Sequence, residues 1–577
     1  MPRMTAMEAA IHVLREEGVE VVFGIPGAAI LPFYEALKES GIGHVLMRHE
    51  EAATHAADGY SRAGGKIGVA VGTSGPAGTN MVTGLYTAQA DSVPILCLTG
   101  QAPRAKLHKE DFQAVDVAAT ARPVSKWATT VMEGGQVPGA FRQAFHLMRS
   151  GRPGPVLLDL PIDVQLEQID YDPAADAPLG TWKPTPHQPA FARALELMAE
   201  AERPLIVAGG GVILAEASAV LLELAEMLQV PVVPTLMGWG AIPDDHPLHA
   251  GMVGLQTQHR YGNDSFLRSD FVLGVGNRWA SRHTGTDDVY RKGRRFVHVD
   301  IDPLQIGRVF APDLGIVADA RAALEGILEE AGRLKQDGGL PHWSGWAREV
   351  RERKEAGDRR TDFTQTPIRP QRVFRELAEV FDRDTRYVTA IGLYQIASGQ
   401  YQRVYWPRQY LVCGQAGPLG WEIPAAIGAK LADPARQVVA VAGDFSTQFL
   451  IEELAVAAQH RIPFVTVVLN NAYLGLIRQS ELKYGMNYEV ALGFENANAP
   501  EGDPTRSGGY GVDHAAAARA LGALGYRVTD PEELAGVLEK ARRESGEQSL
   551  PALVEVFTER ETNIAMGPEI DQIREFD

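Results

Sequence analysis

The sequence predicts an α/β protein built from three doubly wound parallel sheets. Short apolar runs rich in β-branched residues alternate with helix-length amphipathic segments along the chain, as at residues 67–71, 204–208 and 464–469. This alternation is typical of parallel sheets whose strands are joined by helices. At 577 residues the chain is too long for one hydrophobic core, so several domains are expected.

Changes in composition divide the chain into three α/β domains and a tail. We predict a first domain over residues 1–165, followed by a connector rich in proline and aspartate, and a middle domain over residues 190–335. A charged stretch at 337–367 predicts a surface helix and a linker. The third domain is predicted over residues 368–560. The tail, residues 561–577, has no periodicity and is expected to form an arm or a lid.

Composition argues against several classes of partner. The net charge of −18 disfavours a nucleic-acid-binding surface, which requires a basic face. No apolar stretch reaches the roughly 18 residues of a membrane helix, and the N-terminus predicts an amphipathic helix rather than a signal peptide. Two cysteines, Cys97 and Cys413, provide no disulfide framework. We therefore expect a cytoplasmic protein that binds neither membrane nor nucleic acid.

The most informative pattern lies in the third domain. Asp444 follows the strand-like run 438–441, and Asn471 follows the strand-like run 464–469. The amphipathic segment 449–459 between them predicts a helix of three turns. Because the carboxyl ends of parallel strands meet at one sheet edge, both side chains should lie there. Their oxygens suit Mg²⁺ or Ca²⁺, and this site is a hypothesis because many α/β proteins carry similar residues.

The same segment offers backbone donors for a phosphate group. The amides of Gly443, Phe445 and Ser446 stand at the start of a predicted helix turn, where anions bind. A metal and a diphosphate at one sheet edge resemble the anchoring motif of thiamine diphosphate (ThDP)-dependent enzymes. The resemblance implies that the fold is that of the ThDP-dependent enzyme superfamily, with Mg²⁺ held by Asp444, Asn471 and Tyr473.

A glycine-rich loop, residues 413–420, precedes a predicted helix at 423–431. It is similar to the loop of this superfamily in which a bulky apolar residue bends the cofactor. The resemblance implies that Leu419 is that residue and that the Gly417 carbonyl accepts a hydrogen bond from the 4′-amino group. A simple loop at a helix start is the alternative interpretation.

The first domain supplies further matching segments. Glu50 follows the run 45–47 and is placed where these enzymes carry a glutamate that hydrogen-bonds the pyrimidine N1′ and so activates the thiazolium C2. Segments 24–27 and 72–80, and the pair Phe112 and Gln113, resemble the acetohydroxyacid synthase branch. The resemblance implies catalytic roles for Glu50, Gln113 and Phe112. The ThDP contacts that it implies are Pro26, Gly27, Gly392, Gln395, Gly417, Leu419, Gly443, Asp444, Phe445, Ser446, Asn471, Tyr473, Gly475 and Leu476.

The middle domain resembles the FAD-binding domain of the same branch, where FAD is structural and takes no part in redox chemistry. By themselves its glycine-rich turns are weak signals, since the second lacks the third glycine of a dinucleotide fingerprint. A domain without flavin is the alternative. The FAD contacts that the resemblance implies are Gly209, Gly210, Gly211, Thr235, Leu236, Met237, Gly276, Asn277, Arg278, Asp300, Ile301, Asp319 and Ala320.

Over its whole length the chain resembles the glyoxylate carboligase (tartronate-semialdehyde synthase) family. Residues 101–116, 234–246 and 470–480 carry this resemblance, and Ser480 stands where acetohydroxyacid synthases have a tryptophan that selects larger 2-oxo acids. The implied reaction joins two glyoxylates to tartronate semialdehyde with loss of CO₂. Glu50 departs from the family, which carries an aliphatic residue at that position. The alternatives are an acetohydroxyacid synthase-like carboligase using pyruvate, a flavin-dependent 2-oxo acid oxidase and a silent paralogue.

The resemblance also implies an assembly. In this architecture the first domain of one subunit faces the third domain of another, so Glu50 and Asp444 would meet between subunits. We therefore expect a homo-oligomer, either a dimer or a homotetramer.

Overall fold

The computed structural model describes residues 2–185, 188–336, 338–487, 492–496 and 511–576. It contains three parallel sheets flanked by helices, so the predicted fold class is confirmed. A short antiparallel pair joins residues Arg3–Thr5 to Gln168–Asp170 and ties the start of the chain to the end of the first domain. Among the described residues, no helix is both long and apolar enough to cross a membrane.

The first domain holds a six-stranded sheet of order β3-β2-β4-β5-β7-β6. Its first helix begins at a capping box, in which Thr5 and Glu8 hydrogen-bond each other's backbone amides. The elements are β1 Arg3–Thr5, α1 Ala6–Glu16, β2 Val21–Gly24, α2 Leu31–Leu37, β3 Gly43–Leu46, α3 Glu50–Gly64, β4 Gly68–Gly72, α4 Pro76–Asn80, α5 Val82–Asp91, β5 Ile95–Gln101, α6 Val117–Ala121, β6 Trp127–Thr130, α7 Val137–Arg149, β7 Val156–Pro161, α8 Ile162–Gln165 and β8 Gln168–Asp170.

The middle domain holds a five-stranded parallel sheet of order β10-β9-β11-β12-β13. The order reverses between β9 and β11, and a crevice at the carboxyl ends of such neighbours is where ligands bind in open α/β sheets. The elements are α9 Gln188–Ala199, β9 Pro204–Ala208, α10 Gly210–Leu214, α11 Ser218–Leu228, β10 Val232–Pro234, α12 Arg260–Leu267, β11 Phe271–Val275, α13 Ser281–Thr284, α14 Asp287–Arg291, β12 Arg295–Asp300, β13 Leu314–Val317, α15 Ala320–Gln336 and the linker helix α16 Ser344–Ala356.

The third domain holds a six-stranded sheet of order β15-β14-β16-β17-β19-β18. Its central strands β16 and β17 are buried on both faces, which explains their unbroken apolar sequence. The elements are α17 Pro370–Val380, β14 Arg386–Thr389, α18 Leu393–Tyr401, β15 Tyr410–Val412, α19 Glu422–Ala432, β16 Val438–Gly443, α20 Asp444–Thr447, α21 Glu453–Gln459, β17 Val465–Asn470, α22 Gly475–Lys483, α23 His514–Ala520, β18 Leu524–Val528, α24 Leu534–Gln548 and β19 Ala552–Phe557.

The prediction of one helix over residues 449–459 is wrong at its start. The segment after β16 is divided into the short helix α20 and the helix α21, which begins at Glu453. The amide of Phe449 donates to the carbonyl of Ser446, and the amide of Glu453 donates to that of Leu450. These turns place the side chain of Leu450 in the core. Burial of an apolar side chain in a turn therefore overrides the helical periodicity.

Two helices join the first and third domains within one chain. Helix α3 packs along α19 so closely that a Cβ on Gly428 would lie 1.9 Å from the carbonyl oxygen of Ala56. A Cβ on Gly59 would likewise lie 2.3 Å from the carbonyl oxygen of Ala425. Only glycine allows this approach of two helix backbones, so the contact fixes how the two sheets face each other.

The C-terminal tail packs on the third and middle domains, with Ile564 in the core of the third and Ile570 in that of the middle domain. Ile564, Ala565 and Ile570 are buried, and the Asn263 side chain donates to the carbonyl of Ile570 at 3.0 Å. Arg359 forms an ion pair with Glu575 at 2.8 Å. In the described part of the tail, which ends at residue 576, the chain is therefore an arm held against the body. The final residue of the predicted tail, Asp577, lies outside the described residues.

Candidate active site

Asp444 is the first residue of α20, directly after β16, and its side chain is buried. Its Oδ2 atom has no hydrogen-bond partner within the described chain. Burial raises the pKa of the carboxyl group to about 7, although the amides of Phe445 and Ala472 oppose the shift. A buried carboxylate oxygen without a partner is costly, and a divalent cation would satisfy it.

The loop after β17 lies beside Asp444 and carries the other predicted metal ligands. Asn471 is buried, its Oδ1 accepts from the amide of Tyr473 at 3.3 Å, and its Nδ2 donates to the carbonyl of Arg560 at 3.0 Å. The amide of Gly475, at the start of α22, donates to the carbonyl of Tyr473 at 2.8 Å. These bonds fix the orientation of the Asn471 side chain, with Oδ1 toward the amide of Tyr473 and Nδ2 toward the carbonyl of Arg560. Leu476 follows in the same helix and is half-buried.

The glycine-rich loop is tied to the Asp444 segment through a serine. The Ser446 hydroxyl donates to Glu422 at 2.9 Å and accepts from the amide of Gly420 at 2.9 Å. Glu422 is buried at the start of α19, and desolvation raises the pKa of its carboxyl group to about 7. Leu419, one residue before Gly420, therefore lies next to the segment that carries Asp444 and Ser446. Glu422 gave no signal in the sequence, because a glutamate that opens a helix is usually solvated.

In the first domain, Glu50 begins α3 and is half-buried. Asn80 donates to Glu50 Oε2 at 2.9 Å, which fixes the direction of the carboxylate. The two amides before Glu50 bind Glu453 Oε1 of the third domain, from Arg48 at 3.0 Å and from His49 at 3.1 Å. The sequence does not indicate Asn80 and Glu453 as partners, because both contacts join distant parts of the chain.

The other first-domain candidates gather around the ends of β2 and β4. Gln113 Oε1 accepts from the Ser74 hydroxyl at 3.3 Å, and Phe112 is 84% exposed in the single chain. A Cβ on Gly27 would lie 2.5 Å from the Cβ of Thr73, so this loop packs directly on the end of β4, and Pro26 beside it is exposed.

Gln395 and Gly392 lie where α18 begins, next to the third-domain sheet edge. The Gln395 side chain is fully buried; its Oε1 accepts from Arg282 of the middle domain at 2.7 Å, and its Nε2 has no partner within the described residues. Gly443, at the end of β16, would place a Cβ 2.8 Å from the ring of Tyr394. The sequence does not indicate Arg282, because its contacts with α18 cross a domain boundary.

A cavity of about 420 Å³ opens at the reversal of strand order in the middle sheet. All the residues predicted for the second cofactor line it except Gly209, which packs against the carbonyl of Gly276. The lining also includes residues that the sequence did not indicate, namely Arg62, Asp91, Arg152, Lys183, Arg282, Gly414 and Gln415.

The charges of this cavity suit a dinucleotide. Arg152 and Arg278 line the cavity together with the glycines at the start of α10, and such cations suit phosphate groups. Asp300 lies at the end of β12, and burial raises the pKa of its carboxyl group to about 6. Both polar atoms of the buried Asn277 amide are without partners in the part of the chain that the structure describes. A polar ligand in the cavity would satisfy them.

No group of three or more His, Cys, Asp or Glu side chains able to hold a metal ion occurs among the described residues. A metal at Asp444 would therefore need amide, carbonyl and ligand oxygens besides the one carboxylate. This donor set matches Mg²⁺, which takes one or two carboxylates together with phosphate oxygens.

Comparison with known proteins agrees with this geometry. Three family models match the chain: the N-terminal TPP binding domain of thiamine pyrophosphate enzymes at residues 4–120, their central domain at 191–327 and their C-terminal TPP binding domain at 390–556. The chain therefore belongs to the thiamine pyrophosphate (ThDP) enzyme family.

Within this family the chain is 56% identical to the protein named glyoxylate carboligase of Escherichia coli O157:H7, over all of the chain and 97% of that protein. It is 40% identical to a probable acetolactate synthase large subunit of Methanocaldococcus jannaschii, over 85% of the chain and 84% of that protein. It is 36% identical to the acetolactate synthase large subunit of Corynebacterium glutamicum, over 94% of the chain and 85% of that protein.

Proposed function

We propose that this protein is a ThDP-dependent glyoxylate carboligase, which converts two glyoxylate ions and one proton to tartronate semialdehyde and CO₂. The observation that carries the proposal is the 56% identity to glyoxylate carboligase along the whole chain. Ser480 supports it, because it leaves the side of α22 without the bulk of the tryptophan expected in an acetohydroxyacid synthase.

The third domain would bind the cofactor through its diphosphate. Asp444, Asn471 and the carbonyl of Tyr473 are the proposed Mg²⁺ ligands, and the partnerless Oδ2 of Asp444 is the atom that a metal would satisfy. The amides at the start of α20 and α22 face the same edge and would bind phosphate oxygens. Leu419 and Gly417 would hold the pyrimidine ring.

Glu50 is the proposed proton-transfer residue of the first domain. When bound, ThDP would supply a nucleophilic carbon for addition to a carbonyl group and an acceptor for the electron pair that decarboxylation leaves. Glu50 would hold a proton on the pyrimidine N1′, and Asn80 keeps its carboxylate directed by a hydrogen bond of 2.9 Å. Gln113, held by Ser74, would orient the carboxylate of the second glyoxylate, and Phe112 would cover the site.

We further propose that the middle cavity holds FAD in a structural role. Its arginines, glycine turns and unpartnered Asn277 amide support a dinucleotide ligand. We also propose a homo-oligomer, dimer or tetramer, with the site between subunits, as the family resemblance implies; Phe112, which is 84% exposed in one chain, would then be covered. The free thiols Cys97 and Cys413 suit a reducing cytoplasm. Residues 1–165, 190–335 and 368–560 are the proposed domain limits.

The experiment is incubation with glyoxylate, ThDP and Mg²⁺, followed by identification of the products. We expect tartronate semialdehyde and CO₂ in equal amounts, and preference for glyoxylate when pyruvate competes. Acetolactate as the main product would favour the acetolactate synthase relatives instead. Anaerobic bleaching of the flavin by substrate, with O₂ consumption on turnover, would indicate an oxidase.

A further inference from the structure

The peptide of Gly414 lies where all three domains of one chain meet. Its amide donates to Asp91 of the first domain at 2.8 Å, and its carbonyl accepts from Arg282 of the middle domain at 3.1 Å. The next amide, that of Gln415, also donates to Asp91, at 3.2 Å. The backbone amide and the backbone carbonyl of Gly414 are therefore both bound by charged side chains from outside its own domain.

The charges around this peptide are themselves held in place. Arg62 forms ion pairs with Asp91 at 3.1 Å and with Asp58 at 2.5 Å, and it donates to the carbonyl of Val412 at 2.7 Å. The side chains of Arg62 and Asp91 are almost completely buried. Hydrogen bonds to buried ionised groups are stronger than neutral ones, so the segment from Val412 to Gln415 has one favoured position.

The same peptide forms part of the wall of the middle cavity. Gly414, Gln415, Asp91 and Arg282 all line it. A Cβ on Gly414 would lie 2.6 Å from the sulfur of Met237, another lining residue, so the backbone of this loop rests directly on the middle domain. The other end of the loop carries Gly417 and Leu419, the proposed pyrimidine contacts.

From this arrangement we propose that the middle cavity and the loop of residues 413–420 bind their two ligands cooperatively. Asp91 and Arg282 are the positioning residues. A dinucleotide in the cavity covers the part-exposed Arg282, and its hydrogen bond to the Gly414 carbonyl strengthens in the drier surroundings. Asp91, which is buried already, holds the amides of Gly414 and Gln415. The loop is then already ordered when ThDP binds. The proposal rests on the proposed ThDP and flavin sites and adds a thermodynamic link between them.

The linkage must be reciprocal. If FAD increases the affinity for ThDP by a given factor, ThDP increases the affinity for FAD by the same factor. Couplings of this kind are typically between 5- and 150-fold, and we expect a factor of about ten here. The amides of residues 413–420 should also exchange hydrogen more slowly when FAD alone is bound.

The test measures binding without turnover. The Kd of ThDP, with Mg²⁺ present, is determined by calorimetry on flavin-free and FAD-saturated protein at one protein concentration. The Kd of FAD is determined by flavin fluorescence with and without ThDP. The variants Asp91→Asn and Arg282→Gln should reduce the coupling factor toward one. Lys183→Gln is the matched control, because Lys183 lines the cavity and pairs with Asp319 but does not contact the loop. It should weaken FAD binding and leave the factor unchanged.

The possible results distinguish failure of the linkage from failure of the two cofactor sites. A factor of one in the unmodified protein, with both cofactors binding, overturns the linkage and leaves the two sites standing. A factor that persists in both Asp91→Asn and Arg282→Gln overturns the roles of these residues. Failure of FAD to bind overturns the flavin site and the linkage together, whereas ThDP binding and glyoxylate turnover would be untouched. A melting curve shows whether each variant is folded. If either Asp91→Asn or Arg282→Gln is not folded, the coupling factor of the other variant decides the test.

Discussion

The first and third domains have the same strand order but different chemistry at equivalent strand ends. Numbered from its own start, each six-stranded sheet has the order 2-1-3-4-6-5. After the third strand, the first domain continues with the uncharged Thr73, whereas the third domain continues with Asp444. The fold therefore provides an edge where ligands bind, and the residues that follow the strands decide whether that edge can bind a metal.

The helices after the second strands extend this comparison. Both α3 and α19 begin with a glutamate, and the two helices pack against each other. Glu50 is half-buried and bonded by the neutral Asn80, whereas Glu422 is 2% exposed and bonded to Ser446. The equivalent position thus serves proton transfer in the first domain, as we propose, and holds two loops together in the third.

The largest effect is expected from Asp444→Asn. This change removes the carboxylate from the metal-binding edge, and we expect metal-dependent ThDP binding to weaken by about 100-fold or more, since loss of even an outer-shell contact costs about 10- to 100-fold. Calorimetric titration of ThDP with Mg²⁺ measures it. Asp384→Asn is the control, because that side chain is 85% exposed in the same domain. Equal affinities in the two variants would contradict the assignment of the metal site.

A smaller effect, confined to chemistry, is expected from Glu50→Gln. A glutamine cannot take part in proton transfer, so the exchange of the C2 proton of bound ThDP should slow by about 100-fold, while ThDP affinity changes little. Deuterium exchange followed by quenching and NMR measures the rate. The neighbouring Glu51→Gln is the control, since Glu51 faces His55 instead. Unchanged exchange in Glu50→Gln would remove the catalytic role of Glu50.

The smallest effect is on stability, at Glu422. Its pKa is raised from 4.5 to about 7 in the folded state, so its stabilising contribution is complete below pH 4.5 and is lost as the pH rises through 7. A glutamine keeps the bond to Ser446 without that loss. Relative to the unmodified apoprotein, Glu422→Gln should therefore gain about 2 kcal/mol of unfolding free energy between pH 5 and pH 8.

Thermal unfolding of the apoprotein at the two pH values measures this difference. Glu379→Gln is the control, because Glu379 is 54% exposed and is expected to show no such change. A Glu422→Gln variant that loses stability at pH 8 would show that the carboxylate form is favoured in the folded protein. The contrast between the role of Glu422 in holding two loops together and the proposed role of Glu50 in proton transfer would then disappear.

The sequence predicts the fold class and the strand ends because both depend on local patterns. The alternation of apolar runs with helices predicts three parallel sheets, and Asp444 follows directly on the run that forms β16. The start of α21 was misplaced, because the burial of Leu450 in a turn depends on tertiary packing. Glu422, Glu453 and Arg282 were missed for the same reason. The partner of Glu422 lies elsewhere in the same domain, whereas Glu453 and Arg282 contact another domain, and no local pattern indicates either kind of contact.

We propose that Glu50 of one subunit acts on the cofactor that Asp444 of another subunit helps to bind. Two inactive chains, Glu50→Gln and Asp444→Asn, are co-expressed with different tags, and the hetero-oligomer that carries both tags is purified. If the site lies between subunits, one of the two sites in each mixed dimer contains both native residues, and carboligation should recover to about half of the native rate per dimer. If each site lies within one chain, every site keeps one defect. Activity no higher than that of the two parent variants would therefore contradict a site between subunits.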